Sequence, residues 1–162
     1  SNCFIYILMH TFETNIKQLG IIIPDISAPL ANYVPYKVSD NILYISGQGP
    51  VSESKLVYKG KVGEDISIDD GIKAAELCCI NIIAALKKSI NGDWNRLDSF
   101  LKLGGFVNCN NNFYDQPKII NGASDLLVKI FGDQGRHARF AVGSNALPMN
   151  ISVEIDAIIK IK

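Results

Sequence analysis

The alternation of residue types at the end of the chain constrains the fold most strongly. Within Ile151–Ile161 every odd-numbered residue is apolar, whereas Glu154, Asp156 and Lys160 occupy even-numbered positions. Successive side chains of a strand point to opposite faces of its sheet, so this pattern predicts a strand with one buried face and one open face. The sheet that contains it therefore needs a covering layer on one side only.

Two segments have the apolar spacing of helices that could form this layer. Ser67–Ser89 carries one apolar stripe, and Ser67 with Asp70 resembles a capping box at its start. Pro117–Phe131 is the second helix, with a proline suited to its first turn. A shorter helix is predicted over Thr11–Gly20, where Gly20 is a plausible stop.

The remaining regular segments are predicted to be strands. They are Tyr33–Val38, Asn41–Ser46, an edge strand in Leu56–Gly63, Phe100–Asn108 and His137–Val142. With the last strand, the order is β-β-(β)-α-β-α-β-β. Two helices on one face of a mixed sheet make an α+β, two-layer sandwich. We expect residues 1–20 to be an N-terminal extension with a short helix, and residues 21–162 to be a single domain that begins with an extended linker, Ile21–Pro29.

The second face of the sheet is predicted to be open. In His137–Val142, Ala138, Phe140 and Val142 share one side and Arg139 lies on the other. If the apolar side faces the helices, the open face carries Arg139 together with Glu154. An open face that mixes apolar and charged groups is commonly covered by another subunit.

Composition excludes some classes of function and partner. Sixteen basic residues balance sixteen acidic ones, so broad electrostatic binding to nucleic acid or to a membrane is not expected. The four cysteines and two histidines lack metal-ligand spacing, which favours buried free thiols and predicts no metal and no cofactor. The apolar run Phe4–Leu8 is too short to span a bilayer and lacks the features of a secretory signal, so we predict a cytoplasmic protein.

Arg139 and Glu154 are the first candidates for a functional site. The guanidinium of Arg139 could hold a carboxylate through two parallel hydrogen bonds, or it could form a structural ion pair with Glu154 or Asp156. Glu154 could orient or deprotonate a water molecule, or it could be the cross-strand partner of a Lys or Arg. The pattern alone does not separate these alternatives.

Two further features have an ordinary and a functional interpretation. Gly47, in the segment Ser46–Pro50, would let a ligand approach the backbone closely, but such a segment is also a common turn. His137 could act as a general base, or it could be a surface residue at the start of a strand.

Several short motifs, in this order, resemble those of the Rid/YjgF family, also known as endoribonuclease L-PSP. The resemblance covers the chain from about Gly20 to its end. The motifs are Ala31–Pro35, Ser46–Pro50, Gly60–Gly63, Gly105–Asn108, Asp115–Lys118, Ile120–Ser124, Gly135–Arg139, Leu147–Pro148 and Val153–Ile155.

This resemblance implies a chorismate mutase-like fold and a homotrimer with ligand clefts between its subunits. It also implies hydrolysis of enamines and imines such as 2-aminoacrylate to 2-keto acids and ammonia, with no cofactor. Arg139 matches the arginine that pairs with the substrate carboxylate, and Glu154 matches the glutamate that positions water. The remaining residues that match substrate-binding positions of the family are Tyr33, Ser46, Gly47 and Asn121.

One position departs from the deaminases of this family. Ala141 stands where they have a cysteine. The N-terminal helix and the longer loop around Asn110–Gln116 mark a divergent subgroup. Two other functions therefore stay open: a non-catalytic trimer that binds a small keto acid, and a ribonuclease or translation inhibitor. The neutral charge and the lack of a basic, aromatic stretch disfavour the last.

Overall fold

A computed structural model of the chain describes residues 11–26 and 31–162. The predicted linker is extended and irregular over residues 21–26, and its remainder lies outside the described residues. The helices are α1 (residues 11–18), α2 (Ile68–Ser89) and α3 (Gln116–Phe131). The strands are β1 (Tyr36–Ser39), β2 (Ile42–Gln48), β3 (Val51–Ser52), β4 (Lys55–Leu56), β5 (Leu97–Asn108), β6 (Ala138–Ser144) and β7 (Val153–Ile161).

Five of the strands form one mixed sheet in the order β1-β2-β7-β5-β6. All neighbouring pairs are antiparallel except β5 and β6, which are parallel and are connected through α3. The β1–β2 hairpin turns at Asp40 and Asn41, whose φ angles are 49° and 64°. Both values fall in the left-handed region that tight hairpins require, and Asp and Asn tolerate it better than most residues.

The helices α2 and α3 cover one face of this sheet and bury the apolar side of β7. Gly122 allows the two helices to approach closely, because a Cβ there would lie 2.3 Å from the carbonyl oxygen of Ile72. The helix α1 closes one end of the layer, where Phe12 packs against Trp94 and Phe131. The α+β, two-layer architecture predicted from the sequence is confirmed.

One predicted strand is wrong. In Leu56–Gly63 only Leu56 belongs to a strand, in the separate β3–β4 hairpin, and the rest makes isolated bridges such as Lys59 with Ile151. Gly60 has a φ of +108°, and a Cβ there would lie 2.6 Å from the Cβ of Asp65. The chain bends at this glycine, which prevents a continuous ladder.

The open face of the sheet carries exposed apolar side chains. Phe106 and Phe140 meet edge to face with ring centroids 5.3 Å apart, and the Lys102 ammonium lies 5.5 Å from the Phe140 ring centre. Tyr44 and Val142 on this face are also exposed. Such a concentration of aromatic and aliphatic groups is typical of a surface that another protein covers. Within the described ranges, no helix is both long and apolar enough to cross a membrane.

Candidate functional site

Arg139 lies on the helix side of the sheet, in the edge strand β6. It pairs with Leu103 of β5, which is fully buried beneath the helices, and paired residues of parallel strands point to the same side. The prediction that Arg139 shares the open face with Glu154 is therefore wrong. The sequence pattern predicts that the apolar residues of β6 face the core, but Phe140 packs on the open face instead.

The Arg139 guanidinium binds neutral acceptors on α3. Its Nη1 donates to Ser124 Oγ at 3.0 Å and its Nη2 donates to the carbonyl oxygen of Pro117 at 3.3 Å. Every Asp and Glu of the chain lies in the described ranges, and the ion pairs found there do not involve Arg139. A structural ion pair with Glu154 or Asp156 is thus excluded within one chain, since β5 separates the two strands and the side chains face opposite sides.

Ser124 connects Arg139 to a histidine. Its Oγ lies 2.9 Å from His137 Nε2, and His137 Nδ1 lies 2.6 Å from the carbonyl oxygen of Gly135. Burial and, secondarily, the nearby Arg139 charge lower the pKa of His137, although the bond to Gly135 opposes this change. His137 is therefore an uncharged, half-buried part of a hydrogen-bonded chain rather than a free surface residue.

Glu154 lies on the open face at the centre of the sheet. It pairs with Phe106 of β5, and the sheet leaves it about half buried. This burial raises the pKa of its carboxyl group, and the negative charge of Asp156 on the same face raises it further. Among the described residues no Lys or Arg forms an ion pair with it, which excludes the structural alternative within one chain.

Gly47 lies directly against this carboxyl group. A Cβ at Gly47 would be 3.1 Å from both Cδ and Oε1 of Glu154. The register between β2 and β7 shifts between Ile45 and Gln48, which places Gly47 in a bulge. Bulges bend a strand and leave ladder groups unpaired, so the backbone here is accessible beside the Glu154 carboxyl group.

Hydrogen bonds from Ser46 hold the segment that follows Tyr33 beside Gly47. Its Oγ donates to the carbonyl oxygen of Val34 at 2.7 Å, and its N–H donates to that of Pro35 at 3.0 Å. The Tyr33 side chain is 57% exposed. The structure therefore groups Tyr33, Ser46, Gly47 and Glu154 around one end of β2.

Asn121 lies on the same side of α3 as Pro117 and Ser124, one turn from each. It is exposed, and it also lines a groove of about 400 Å³ between α2, α3 and the residues that follow α1. The described contacts of Arg139 do not include Asn121.

The candidate residues thus form two groups that do not meet within one chain. Arg139 pairs with Leu103 of β5, whereas Glu154 pairs with Phe106 of the same strand, three residues further along. The strand β5 also lies between the strands of Arg139 and Glu154. Their Cα atoms are therefore roughly 10 Å apart along the strands and roughly 10 Å apart across them. Their side chains also project from opposite faces, so neither group alone resembles a complete active site.

Among the described residues, neither a cysteine nor a cluster of metal-ligating side chains belongs to either group. Cys78, Cys79 and Cys109 are buried and free, and burial raises the pKa of the first two thiols. In the part of the chain that the structure describes, no three His, Cys, Asp or Glu side chains come together as they would around a metal ion.

The bond between Ser124 and His137 was missed by sequence reasoning. A weak signal exists, because His137 and Arg139 are two residues apart and therefore share one side of an extended segment. Nothing in the sequence, however, indicates that Ser124, which precedes them in a different element, would reach that side.

Comparison with known proteins places the chain in a family. Residues 13–158 match the family described as "YjgF/chorismate mutase-like, putative endoribonuclease". The Trypanosoma cruzi protein TCP17 is 37% identical over 148 residues, which cover 91% of this chain and 92% of the relative.

Two crystal structures are similar over nearly the whole chain. A protein of unknown function from Agrobacterium tumefaciens is 42% identical with a TM-score of 0.91, covering 99% of each chain. A Shewanella oneidensis protein, also described as a "putative endoribonuclease", is 34% identical with a TM-score of 0.88, covering 93% of this chain and 99% of the other. The chain belongs to the YjgF/chorismate mutase-like family.

Proposed function

We propose that this protein hydrolyses reactive enamines and imines derived from amino acids, of the 2-aminoacrylate type, to 2-keto acids and ammonia. The observation that carries the proposal is the set of hydrogen-bonding partners of Arg139. Its guanidinium is fixed by neutral acceptors and has no acidic partner in its own chain. A partly exposed guanidinium in this state suits a ligand carboxylate, which it can bind through two parallel hydrogen bonds.

The reaction needs only positioning and proton transfer. The enamine tautomerises to an imine, and water adds to the imine carbon to give a carbinolamine. The C–N bond then breaks, the nitrogen leaves as ammonia, and the oxygen of the water becomes the keto oxygen. Glu154 accepts one proton from the attacking water and passes it to the imine nitrogen, and the hydroxyl proton of the carbinolamine is transferred to the same nitrogen as the C–N bond breaks. The raised pKa of Glu154 brings it closer to the pH at which a general base is most effective.

A second copy of the chain would bring the two groups of residues together. The apolar open face around Phe106, Phe140 and Val142 supports association of this kind. We propose a homotrimer in which these faces pack against each other. Each cleft then combines Arg139 of one copy with Tyr33, Gly47 and Glu154 of the next.

The direct test is release of ammonia and pyruvate from freshly generated 2-aminoacrylate. We expect wild type to accelerate the release and Arg139→Ala to abolish the acceleration. Arg139→Lys should recover little, because a point charge does not replace the bidentate fork. Arg136→Ala is a matched control, since Arg136 is exposed and pairs only with Asp133 at 3.2 Å.

A keto acid-binding protein without catalysis is the second candidate, and Ala141 favours it. The deaminases that the chain resembles have a thiol at this position, whereas Ala141 packs against the core on the same side as Arg139. Pyruvate binding that depends on Arg139, with no acceleration of 2-aminoacrylate breakdown, would support this function. RNA cleavage that survives Arg139→Ala would instead support the endoribonuclease description of the family.

A further inference from the structure

A chain of hydrogen bonds leads away from the Arg139 guanidinium into the protein. Arg139 Nη1 lies 3.0 Å from Ser124 Oγ, which lies 2.9 Å from His137 Nε2. The other ring nitrogen of His137 lies 2.6 Å from the carbonyl oxygen of Gly135. These hydrogen bonds connect three elements: the edge strand β6, α3, and the turn between them.

The chemistry of these groups fixes the direction of each bond. A carbonyl oxygen only accepts, so His137 Nδ1 carries a proton and donates it to Gly135. In the neutral ring Nε2 is then an acceptor, and the Ser124 hydroxyl donates to it. This leaves the lone pairs of Ser124 Oγ for the N–H of Arg139. The network is consistent for one tautomer of neutral His137.

The network also leaves Arg139 free to bind a ligand. A guanidinium has five N–H donors, and two of them are used, by Ser124 and by the Pro117 carbonyl. Three remain, whereas a bidentate carboxylate needs two. An unsupported arginine would lose rotamer entropy when a ligand fixed it. Here α3 holds the guanidinium before any ligand arrives.

We propose that Ser124 and His137 are positioning residues that orient Arg139 for the carboxylate of the substrate. This inference rests on the proposed function, because it assigns the ligand of Arg139. Ser124 accepts from Arg139 and donates to His137, so both of its hydrogen-bonding roles are filled inside the network. It acts through Arg139 and not as a nucleophile.

The hydrogen-bond network can be tested without any substrate. We expect nitrogen NMR of the histidine rings in wild type to show a protonated Nδ1 and a hydrogen-bonded, unprotonated Nε2 for His137. In Ser124→Ala the Nε2 resonance should shift to that of a nitrogen without this bond. A protonated Nε2 in wild type at neutral pH, or an unchanged resonance in the variant, would overturn the proposal.

The positioning role is tested by titrating the protein with pyruvate in a calorimeter. Loss of one hydrogen bond to a charged group corresponds to roughly tenfold weaker binding, which we expect for Ser124→Ala. Ser124→Thr keeps the hydroxyl and should stay within about twofold of wild type. Ser89→Ala is the matched control, because the Ser89 hydroxyl bonds only to Leu86 of its own helix, at 2.7 Å.

Two substitutions of His137 separate the effect of its hydrogen bond with Ser124 from that of its hydrogen bond with Gly135. In His137→Gln the amide oxygen can still accept from Ser124, whereas in His137→Asn the shorter side chain can reach only Gly135. We expect the glutamine variant to bind pyruvate more tightly than the asparagine variant. Equal affinities would overturn the role of the bond between His137 and Ser124.

The outcomes separate this inference from the function on which it rests. If Arg139→Ala binds pyruvate as wild type does, the proposed carboxylate site is wrong. If Arg139→Ala loses binding while Ser124→Ala keeps it, the site stands and the positioning role is wrong. Lost turnover with unchanged pyruvate affinity in Ser124→Ala would also overturn it, because that result indicates a direct chemical role.

Discussion

Replacing Glu154 with glutamine should stabilise the protein at neutral pH while removing the proposed deaminase activity. The carboxylates of Glu154 and Asp156 lie on one face of β7, and burial together with their mutual repulsion raises the pKa of Glu154. A carboxyl group that binds its proton more tightly in the folded chain stabilises the fold at low pH. That contribution is lost as the pH rises through the pKa of the folded state.

The size of the effect follows from the spacing of the two charges. Alternate residues of a strand are about 7 Å apart, where two like charges repel by about 2.4 kcal/mol at an effective dielectric constant of 20 and by about 0.6 kcal/mol in water. The same residues are neighbours in the unfolded chain, so only the difference counts. Because Glu154 is half exposed, solvent reduces that difference, and we expect Glu154→Gln to gain about 1 kcal/mol at pH 7 and low salt.

Urea unfolding at fixed protein concentration measures this gain. It should be present at neutral pH and disappear below the ordinary glutamate pKa of 4.5, where Glu154 is protonated in both states. Asp133→Asn is the control, since Asp133 is an exposed carboxylate whose removal should change stability by less than about 0.5 kcal/mol. A less stable Glu154→Gln variant, or a gain that does not depend on pH, would refute the reasoning and indicate a structural role for Glu154.

Three other substitutions test particular contacts. Gly122→Ala should cost about 1–3 kcal/mol in urea unfolding, because its Cβ would lie 2.3 Å from the Ile72 carbonyl oxygen; an unchanged midpoint would contradict this close packing. Gly47→Ala should lower kcat/KM for 2-aminoacrylate with little change in stability, because its Cβ displaces the Glu154 carboxyl group, and wild-type kinetics would be evidence against that contact. The lowered pKa of His137 means that its contribution to stability is present above pH 6.5 and is lost as the pH falls through the folded-state pKa. His137→Gln should therefore lose less stability than wild type between neutral pH and pH 5, and equal losses would argue against this histidine as the cause.

Much of the fold could be predicted because local patterns and the final structure agree. The odd-numbered residues of β7 are buried along its whole length, as the alternation indicated. The N-cap of α2 is Ser67, whose side chain accepts from the N–H of Asp70. These features depend on residues close together in the chain, where periodicity and capping are informative.

Which side chains of β6 point towards the helices could not be predicted in the same way. Alternation shows that Arg139 and Phe140 lie on different sides, but not which side the helices cover. The usual assumption, that aromatic residues face the core, fails here because the open face of the sheet is itself apolar. A surface that is buried only on association has the same composition as a core.

Copies of the chain carrying different substitutions test the central claim most directly. Arg139→Ala and Glu154→Gln copies, each inactive alone, are unfolded together and refolded into mixed oligomers. If a cleft combines Arg139 of one copy with Glu154 of another, random mixing should restore both residues in about a quarter of the clefts and recover activity in that proportion. If the mixture stays as inactive as its separate components, although it contains both kinds of copy, the two residues do not act together across subunits and the account is contradicted.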